Sequence, residues 1–106
     1  MPDWSAKESA IVLYFISRGI PYDVSSDVIK LRCGTTRSRT MCQHKVQNIR
    51  KNMLQEHGLA DPYDPTTKRY DVNIVDDWLR RQMDMGMLNE LLAIDAQVEQ
   101  IMRNHV

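Results

Sequence analysis

The sequence predicts an all-α protein, with a three-helix helix-turn-helix core followed by two additional C-terminal helices. Two observations support this fold class. Apolar residues recur at helical spacings of three and four in about five segments, whereas the alternation typical of strands is almost absent. Between these segments, serine, glycine and proline lie where helices usually begin and end. At 106 residues, the chain is long enough for one small domain with an appendage.

Capping residues delimit the first three helices. Ser5 and Glu8 have the spacing of a capping box, and Gly19 is typical of a helix end. Gly34 marks a tight turn before the third helix. The predicted helices cover about residues 5–18, 25–31 (beginning at Ser25 or Ser26) and 38–55. A short middle helix joined to the third by a tight turn is the layout of a helix-turn-helix domain, which we assign to residues 1–57.

The rest of the chain is predicted to form a loop and a helical extension. Gly58, Pro62 and Pro65 indicate a loop over residues 58–70. Residues 71–106 form the extension, in which Gly86 separates two helices. These cover about residues 71–84 and 87–104. The first of them is expected to pack on the core through Trp78.

Charge is segregated along the chain. Residues 1–70 contain eleven Lys or Arg against seven Asp or Glu, and residues 71–106 contain three against seven, so the whole is neutral. Residues 28–55 contain seven basic residues and no acidic one: Lys30, Arg32, Arg37, Arg39, Lys45, Arg50 and Lys51. A helical segment with charge of one sign favours an anionic partner, with nucleic acid as the first candidate.

The periodicity of the third helix divides it into two faces. The apolar face, expected to point inward, consists of Met41, Cys42, Val46, Ile49 and Met53. The polar face, left for solvent or a ligand, consists of Arg39, Thr40, Gln43, His44, Gln47, Asn48, Arg50 and Lys51.

The first half of the chain resembles a Myb/SANT repeat, a homeodomain-like helix-turn-helix domain. The opening helix of that family is similar to Trp4-Ser5-Ala6-Lys7-Glu8 followed by Val12, Phe15 and Ile16. Its third helix is similar to Arg37-Ser38, Met41-Cys42, Lys45-Val46 and Ile49, although Val46 stands where the family has its last tryptophan. The whole sequence is also similar to short Myb-like domains of filamentous fungi. The resemblance implies an ion pair between Glu8 and Lys45.

The resemblance further implies that the third helix lies in the major groove of double-stranded DNA, in a nuclear regulator of transcription or chromatin. The positions matching base-reading residues are Gln43, His44, Gln47 and Asn48, whose amide and imidazole groups can pair with base edges. The residues expected to contact phosphate are Arg37, Arg39, Thr40, Arg50 and Lys51. For Lys30 and Arg32, both phosphate contact and a structural role at the end of the second helix stay open.

Other interpretations of the same residues stay open. The polar face of the third helix can be an ordinary solvated surface. SANT-type relatives imply a protein-interaction module that binds an acidic partner, such as a histone tail or a subunit of a complex. The acidic residues 71–106 can also cover the basic helix as an internal counterweight.

The last predicted helix carries an apolar stripe with heptad-like spacing. Its members are Leu91, Ile94, Val98 and Ile101. The stripe can fold back onto the core, pair with a second copy of the chain as a short coiled coil, or dock on a different protein.

No other class of function is indicated. Cys33, Cys42, His44 and His57 match no common zinc spacing, so neither a metal nor another cofactor is predicted. No arrangement of nucleophile and base and no glycine-rich phosphate loop predicts an enzyme or a small-molecule substrate. No apolar run approaches the roughly 18 residues of a membrane span, and the start lacks the pattern of a signal peptide. We therefore expect an intracellular, reducing environment.

Overall fold

Helices account for most of the structure, a computed structural model that describes residues 3–105. The all-α prediction is confirmed in this coarse form, although one very small sheet is also present. In chain order the elements are α1 (Ala6–Ser17), α2 (Tyr22–Cys33), α3 (Arg39–His57), β1 (Tyr63–Asp64), β2 (Arg69–Tyr70), α4 (Val72–Arg80), α5 (Met85–Leu92) and α6 (Ala96–Asn104). Within the described range, no helix has the length and apolar character needed to cross a membrane.

Local capping determines where α1 and α3 begin. The Ser5 hydroxyl accepts from the Glu8 N–H, and the Glu8 carboxylate accepts from the Ser5 N–H, each at 3.1 Å, so the predicted capping box is confirmed. At α3, the Ser38 hydroxyl accepts from the Met41 N–H at 3.1 Å. Gly58 ends α3 in the left-handed conformation, with φ of 67°.

The middle helix is longer than the sequence indicated. The sequence predicts a helix from Ser25 or Ser26 to Leu31, whereas α2 covers Tyr22–Cys33. Pro21 precedes its first residue, and Asp23 lies in the first turn, where a negative charge favours the helix dipole. Ser25 and Ser26 resemble N-caps in the sequence, but they lie inside α2. Gly34, with φ of 73°, ends α2 as expected.

The prediction of a plain loop over residues 58–70 is wrong, because this segment contains a β-hairpin. Tyr63 lies opposite Tyr70, and Asp64 lies opposite Arg69, in an antiparallel pair. The Lys68 N–H donates to the Asp64 carbonyl at 2.8 Å and closes the turn, for which Lys68 adopts a left-handed φ of 58°. Strands of two residues are too short to show alternation, so periodicity could not reveal them.

The single last helix predicted over 87–104 is also wrong, because the chain forms two helices there. Residues 93–95 are not helical, and the Asp95 carboxylate caps α6 by accepting from the Val98 N–H at 3.0 Å. In the same way, the Asp84 carboxylate caps α5 through the Met87 N–H at 2.8 Å. Gly86 therefore lies inside α5 rather than between two helices.

The core surrounds α1, which contacts α2, α3, α4 and α5. This position explains why four consecutive residues of α1, from Ala10 to Leu13, are completely buried. A helix that is apolar on one face only would leave part of such a run in water. From the second half of the chain, Val75, Trp78, Leu79, Leu88 and Val98 complete the same core.

Candidate nucleic-acid interface

The outward face of α3 is the surface on which the predicted base-reading residues meet. The helix continues without interruption from Arg39 to His57. Its inward side is as predicted for Cys42, Val46, Ile49 and Met53, which are buried, whereas Met41 is only half-buried. On the opposite side, the four predicted base-reading residues are all exposed: Gln43, His44, Gln47 and Asn48. Their spacing of three and four residues places them side by side.

Three of the five predicted phosphate contacts lie beside this face. Arg39, Thr40 and Lys51 are exposed, with Arg39 and Thr40 in the first turn of α3 and Lys51 three turns further on. They are available to a ligand that lies along the helix. We use the name reading face for Arg39, Thr40, Gln43, His44, Gln47, Asn48 and Lys51.

Arg37 is not available to phosphate, which corrects its assignment. Its side chain is 2% exposed, and its Nε donates to Glu8 Oε2 at 2.5 Å. A second guanidinium nitrogen donates to the Asp3 carbonyl at 3.0 Å, and the guanidinium carbon lies 4.6 Å from the centre of the Trp4 ring. Arg37 lies in the turn before α3, so its side chain turns back towards the start of α1 rather than outward.

Glu8 has Arg37 as its partner rather than Lys45, so the ion pair implied by the resemblance is also corrected. The Glu8 carboxylate accepts from Arg37, from the Thr35 hydroxyl at 3.0 Å and from the Ser5 N–H. Burial alone would raise the pKa of Glu8, but these hydrogen bonds outweigh it and lower the pKa to about 2. Glu8 therefore remains a carboxylate and joins α1 to the turn before α3.

Arg50 is the second predicted phosphate contact that instead pairs with a carboxylate of the same chain. Its Nε and Nη2 donate to the two carboxylate oxygens of Asp61 at 3.0 and 3.2 Å. Its guanidinium carbon lies 4.5 Å from the centre of the Tyr63 ring. The Asp61 hydrogen bond and charge raise the pKa of Arg50. This fork and stack hold the hairpin against α3.

Arg32, at the end of α2, has a structural role rather than being available to phosphate. It donates to the carbonyls of Leu91 and Ala93 and to the Asp95 carboxylate, the last at 3.2 Å. These acceptors lie in the last turn of α5 and in the residues that join it to α6, so Arg32 fixes the break between the two helices. Lys30 is exposed and lies only 3.5 Å from the Thr36 hydroxyl.

A cleft of about 560 Å³ separates α3 from the hairpin. On the α3 side it is lined by Gln43, Gln47 and Arg50, and on the hairpin side by Tyr63, Lys68, Arg69 and Tyr70. Tyr22, at the start of α2, also lines it; burial and the neighbouring Tyr70 raise the pKa of Tyr22. The sequence did not indicate Lys68 and Arg69 as site residues, because they lie in the predicted loop. The available signal was the pair of tyrosines that flanks Asp64-Pro65 and Lys68-Arg69.

The apolar stripe of the last predicted helix does not form one surface. Leu91 and Val98 are buried in the core, Ile101 is half-buried, and Ile94 is 46% exposed in the non-helical residues between α5 and α6. The coiled-coil interpretation needs these residues on one continuous helix, which the capping by Asp95 prevents. The alternative in which this segment folds back matches the structure.

The cysteines and histidines are dispersed. Cys42 is buried, and burial raises its thiol pKa to about 11. Cys33 is half-buried at the end of α2, and His44 lies on the outward face of α3. Among residues 3–105, no three His, Cys, Asp or Glu side chains form a group that could hold a metal ion.

Comparison with known proteins adds no relative to this description. No protein-family model, no curated protein and no solved structure matches the chain.

Proposed function

We propose that this protein is a small helix-turn-helix DNA-binding protein whose α3 enters the major groove. In this proposal α1, α2 and α3 form the helix-turn-helix domain, and Gly34 to Ser38 form its turn. The single observation that supports it most is the reading face. Two glutamines, one asparagine and one histidine are exposed side by side on an uninterrupted helix. An α-helix fits the width of the major groove, and amide and imidazole side chains can pair with the base edges there.

The side chains of the reading face suit base edges. A Gln or Asn amide can donate to adenine N7 and accept from adenine N6, and a histidine can pair with guanine or an exocyclic amine. Arg39, Thr40 and Lys51 would contact the flanking phosphates and fix the register of the helix. Arg37 and Arg50 are no longer part of this set, because Glu8 and Asp61 hold them. The biological role that follows is nuclear regulation of transcription or chromatin.

A selection followed by a binding titration tests this proposal. The wild-type protein would first be used to enrich sequences from a random duplex pool at about 50 mM salt. Fluorescence anisotropy would then compare wild type with the double variant Gln43→Ala/Gln47→Ala on the enriched duplex. Loss of one bidentate contact costs about 1–3 kcal/mol, which is roughly a 5- to 150-fold loss of affinity.

The matched control removes two amides that lie far from the reading face. Gln97→Ala/Gln100→Ala changes exposed glutamines of α6, and we expect it to bind as wild type does. Failure of the wild type to bind any duplex at low salt would overturn the proposal. Equal affinities for the two double variants would overturn the assignment of the base-reading residues.

A protein-interaction module for an acidic partner is the second candidate, supported by the exposed Lys68 and Arg69 in the cleft between α3 and the hairpin. Carboxylates of a peptide such as an acidic histone or complex-subunit segment could occupy it as phosphates could. Competition between the duplex and a poly-glutamate peptide separates the two candidates. Stronger binding of the peptide at equal charge would favour the second.

A further inference from the structure

We propose that the hairpin of residues 63–70 is a second DNA-contacting element, in which Lys68 and Arg69 bind phosphates beside the groove that α3 enters. This inference rests on the proposed function, but it names residues and an element outside α3. It assigns Arg50 and Asp61 a different task, as positioning residues that hold the hairpin in place.

The hairpin is fixed relative to the reading face. Arg50, on α3, binds both carboxylate oxygens of Asp61 and stacks on Tyr63. The Asp61 carboxylate also accepts from the Tyr63 N–H at 2.9 Å, which sets the start of β1. Tyr63 packs on Tyr70 of the other strand, with ring centres 4.9 Å apart. The cations of the hairpin are therefore held beside α3 rather than on a free loop.

The charges on the cleft favour an anion. Among the described residues that line it, Lys68 and Arg69 are exposed cations, Arg50 is paired with Asp61, and none is a carboxylate. By contrast, the groove beside α5 includes Asp76, and the one beside Trp4 includes Glu56. Gln43 and Gln47 also line the cleft. A phosphate bound there would therefore belong to the same duplex whose base edges pair with the reading face.

The acidic residues of this region already have partners. Asp61 is paired with Arg50, and the Asp64 carboxylate accepts from the Thr66 N–H at 2.8 Å. Asp71 caps α4 by accepting from the Asn73 N–H at 3.0 Å. Lys68 and Arg69 are exposed. In a duplex, phosphates border both sides of the major groove, so an element beside the inserted helix meets one of these two rows.

The number of cations that contact phosphate sets how steeply the affinity for DNA falls with salt. With Arg39 and Lys51 on α3 and Lys68 and Arg69 on the hairpin, the protein would neutralise about four phosphates. The logarithm of affinity should then fall with the logarithm of salt with a slope of about 3.6, or about 150-fold between 50 and 200 mM. Removal of the hairpin pair should reduce the slope to about 1.8, or about 12-fold.

The experiment compares two double variants of equal charge on a mixed-sequence duplex by anisotropy across this salt range. Lys68→Gln/Arg69→Gln removes the hairpin cations, and Lys7→Gln/Arg103→Gln removes two exposed cations of α1 and α6. Circular dichroism would show that both are folded. We expect the hairpin variant to show the lower slope and the control to keep the wild-type slope.

A third variant tests the positioning role. Asp61→Asn makes the protein more positive, so a purely electrostatic effect would tighten DNA binding. Release of Arg50 and loosening of the hairpin should instead weaken it about two- to fivefold, as expected for loss of an exposed ion pair. Tighter binding would overturn the positioning role of Asp61.

The outcomes separate the two proposals. If the wild type does not bind duplex at about 50 mM salt, the proposed function fails and this inference fails with it. If the wild type binds but both double variants have the same slope, only the hairpin inference is overturned. If the hairpin variant loses affinity for poly-glutamate and not for duplex, the cleft takes an acidic peptide, which also overturns it.

Discussion

At the scale of single residues, the partner of an arginine in a basic segment is ambiguous from sequence. Arg37, Arg39 and Arg50 all lie in a run that lacks acidic neighbours, so all three were expected to meet phosphate. Only Arg39 is exposed, because Glu8 and Asp61 reach the other two from distant parts of the chain. An arginine fork binds a carboxylate of the same protein as readily as it binds phosphate.

We predict that Arg37→Met strongly destabilises the protein. It removes the partner of a buried carboxylate, and such a change typically costs about 3–5 kcal/mol in the free energy of unfolding. Arg39→Met is the control, because an exposed side chain should change that free energy by less than about 0.5 kcal/mol. Urea unfolding followed by circular dichroism gives both values. Equal stability of the two variants would contradict the buried pair.

We predict that Glu8 makes the protein less stable in acid. The pKa of Glu8 is lowered from 4.5 to about 2 on folding, so the carboxylate stabilises the native state fully above pH 4.5. This stabilisation is lost as the pH falls from 4.5 towards 2, and in total it amounts to about 3 kcal/mol. The measurement is the difference in urea midpoint between wild type and Glu8→Gln.

The difference in stability between wild type and Glu8→Gln cancels the contributions of the other carboxylates. It should be largest near pH 6 and should narrow at pH 3 by an amount corresponding to about 2 kcal/mol. A difference that stays constant between these two pH values would show that Glu8 has an ordinary pKa in the folded protein.

At the scale of elements, α3 and the hairpin form one unit. Periodicity predicts seventeen residues of α3, but it predicts neither strand of the hairpin. The capping of α3 by Ser38 and the glycine at its end are local signals. The hairpin depends instead on contacts with α3 through Arg50 and with the start of α2 through Tyr22. Such short strands have little stability of their own.

We predict that Asp61→Asn loosens the hairpin without unfolding the domain. Loss of the charged fork should raise amide hydrogen exchange at Asp64 and Lys68 by up to about fivefold, since an exposed pair contributes about 1 kcal/mol or less. Exchange in the middle of α3, for example at Val46, should not change. Asp77→Asn, which removes an exposed pair with Arg80, is the control. Unchanged exchange at the hairpin would show that Tyr63 and Tyr70 suffice to hold it.

At the scale of the whole molecule, the fold distributes the segregated charges among internal partners. Arg32, Arg37 and Arg50 of the basic run pair with Asp95, Glu8 and Asp61, which lie outside that run. The exposed basic residues that remain from the run are Lys30, Arg39 and Lys51. The net positive surface is therefore smaller than the count along the chain indicates, and the proposed DNA binding should be weak and sensitive to salt.

The C-terminal segment is a second feature of the whole molecule, and we predict that Val98 and Ile94 respond differently to truncation. Val98 is completely buried between α6 and α2, so Val98→Ala should cost about 2 kcal/mol of unfolding free energy. Ile94→Ala removes a side chain that is 46% exposed and should cost less than about 1 kcal/mol.

Thermal unfolding and light scattering check this prediction together. We expect a monomer for the wild type and for both variants, since the residues of the stripe do not share one helix. A dimer that dissociates in both variants would restore the coiled coil and contradict the fold-back arrangement.

The sequence by itself determined the helical class, the capping of α1 and α3, and the outward direction of Gln43, His44, Gln47 and Asn48. These properties depend on neighbours within about four residues, where spacing and capping chemistry are sufficient. Only the tertiary structure decided that Arg37 is buried, that residues 63–70 form a hairpin, and that the last helix is broken at Asp95. Each of these depends on a contact that spacing within about four residues does not reveal: Glu8 with Arg37, Arg50 with Asp61 beside the hairpin, and Arg32 with Asp95 at the break.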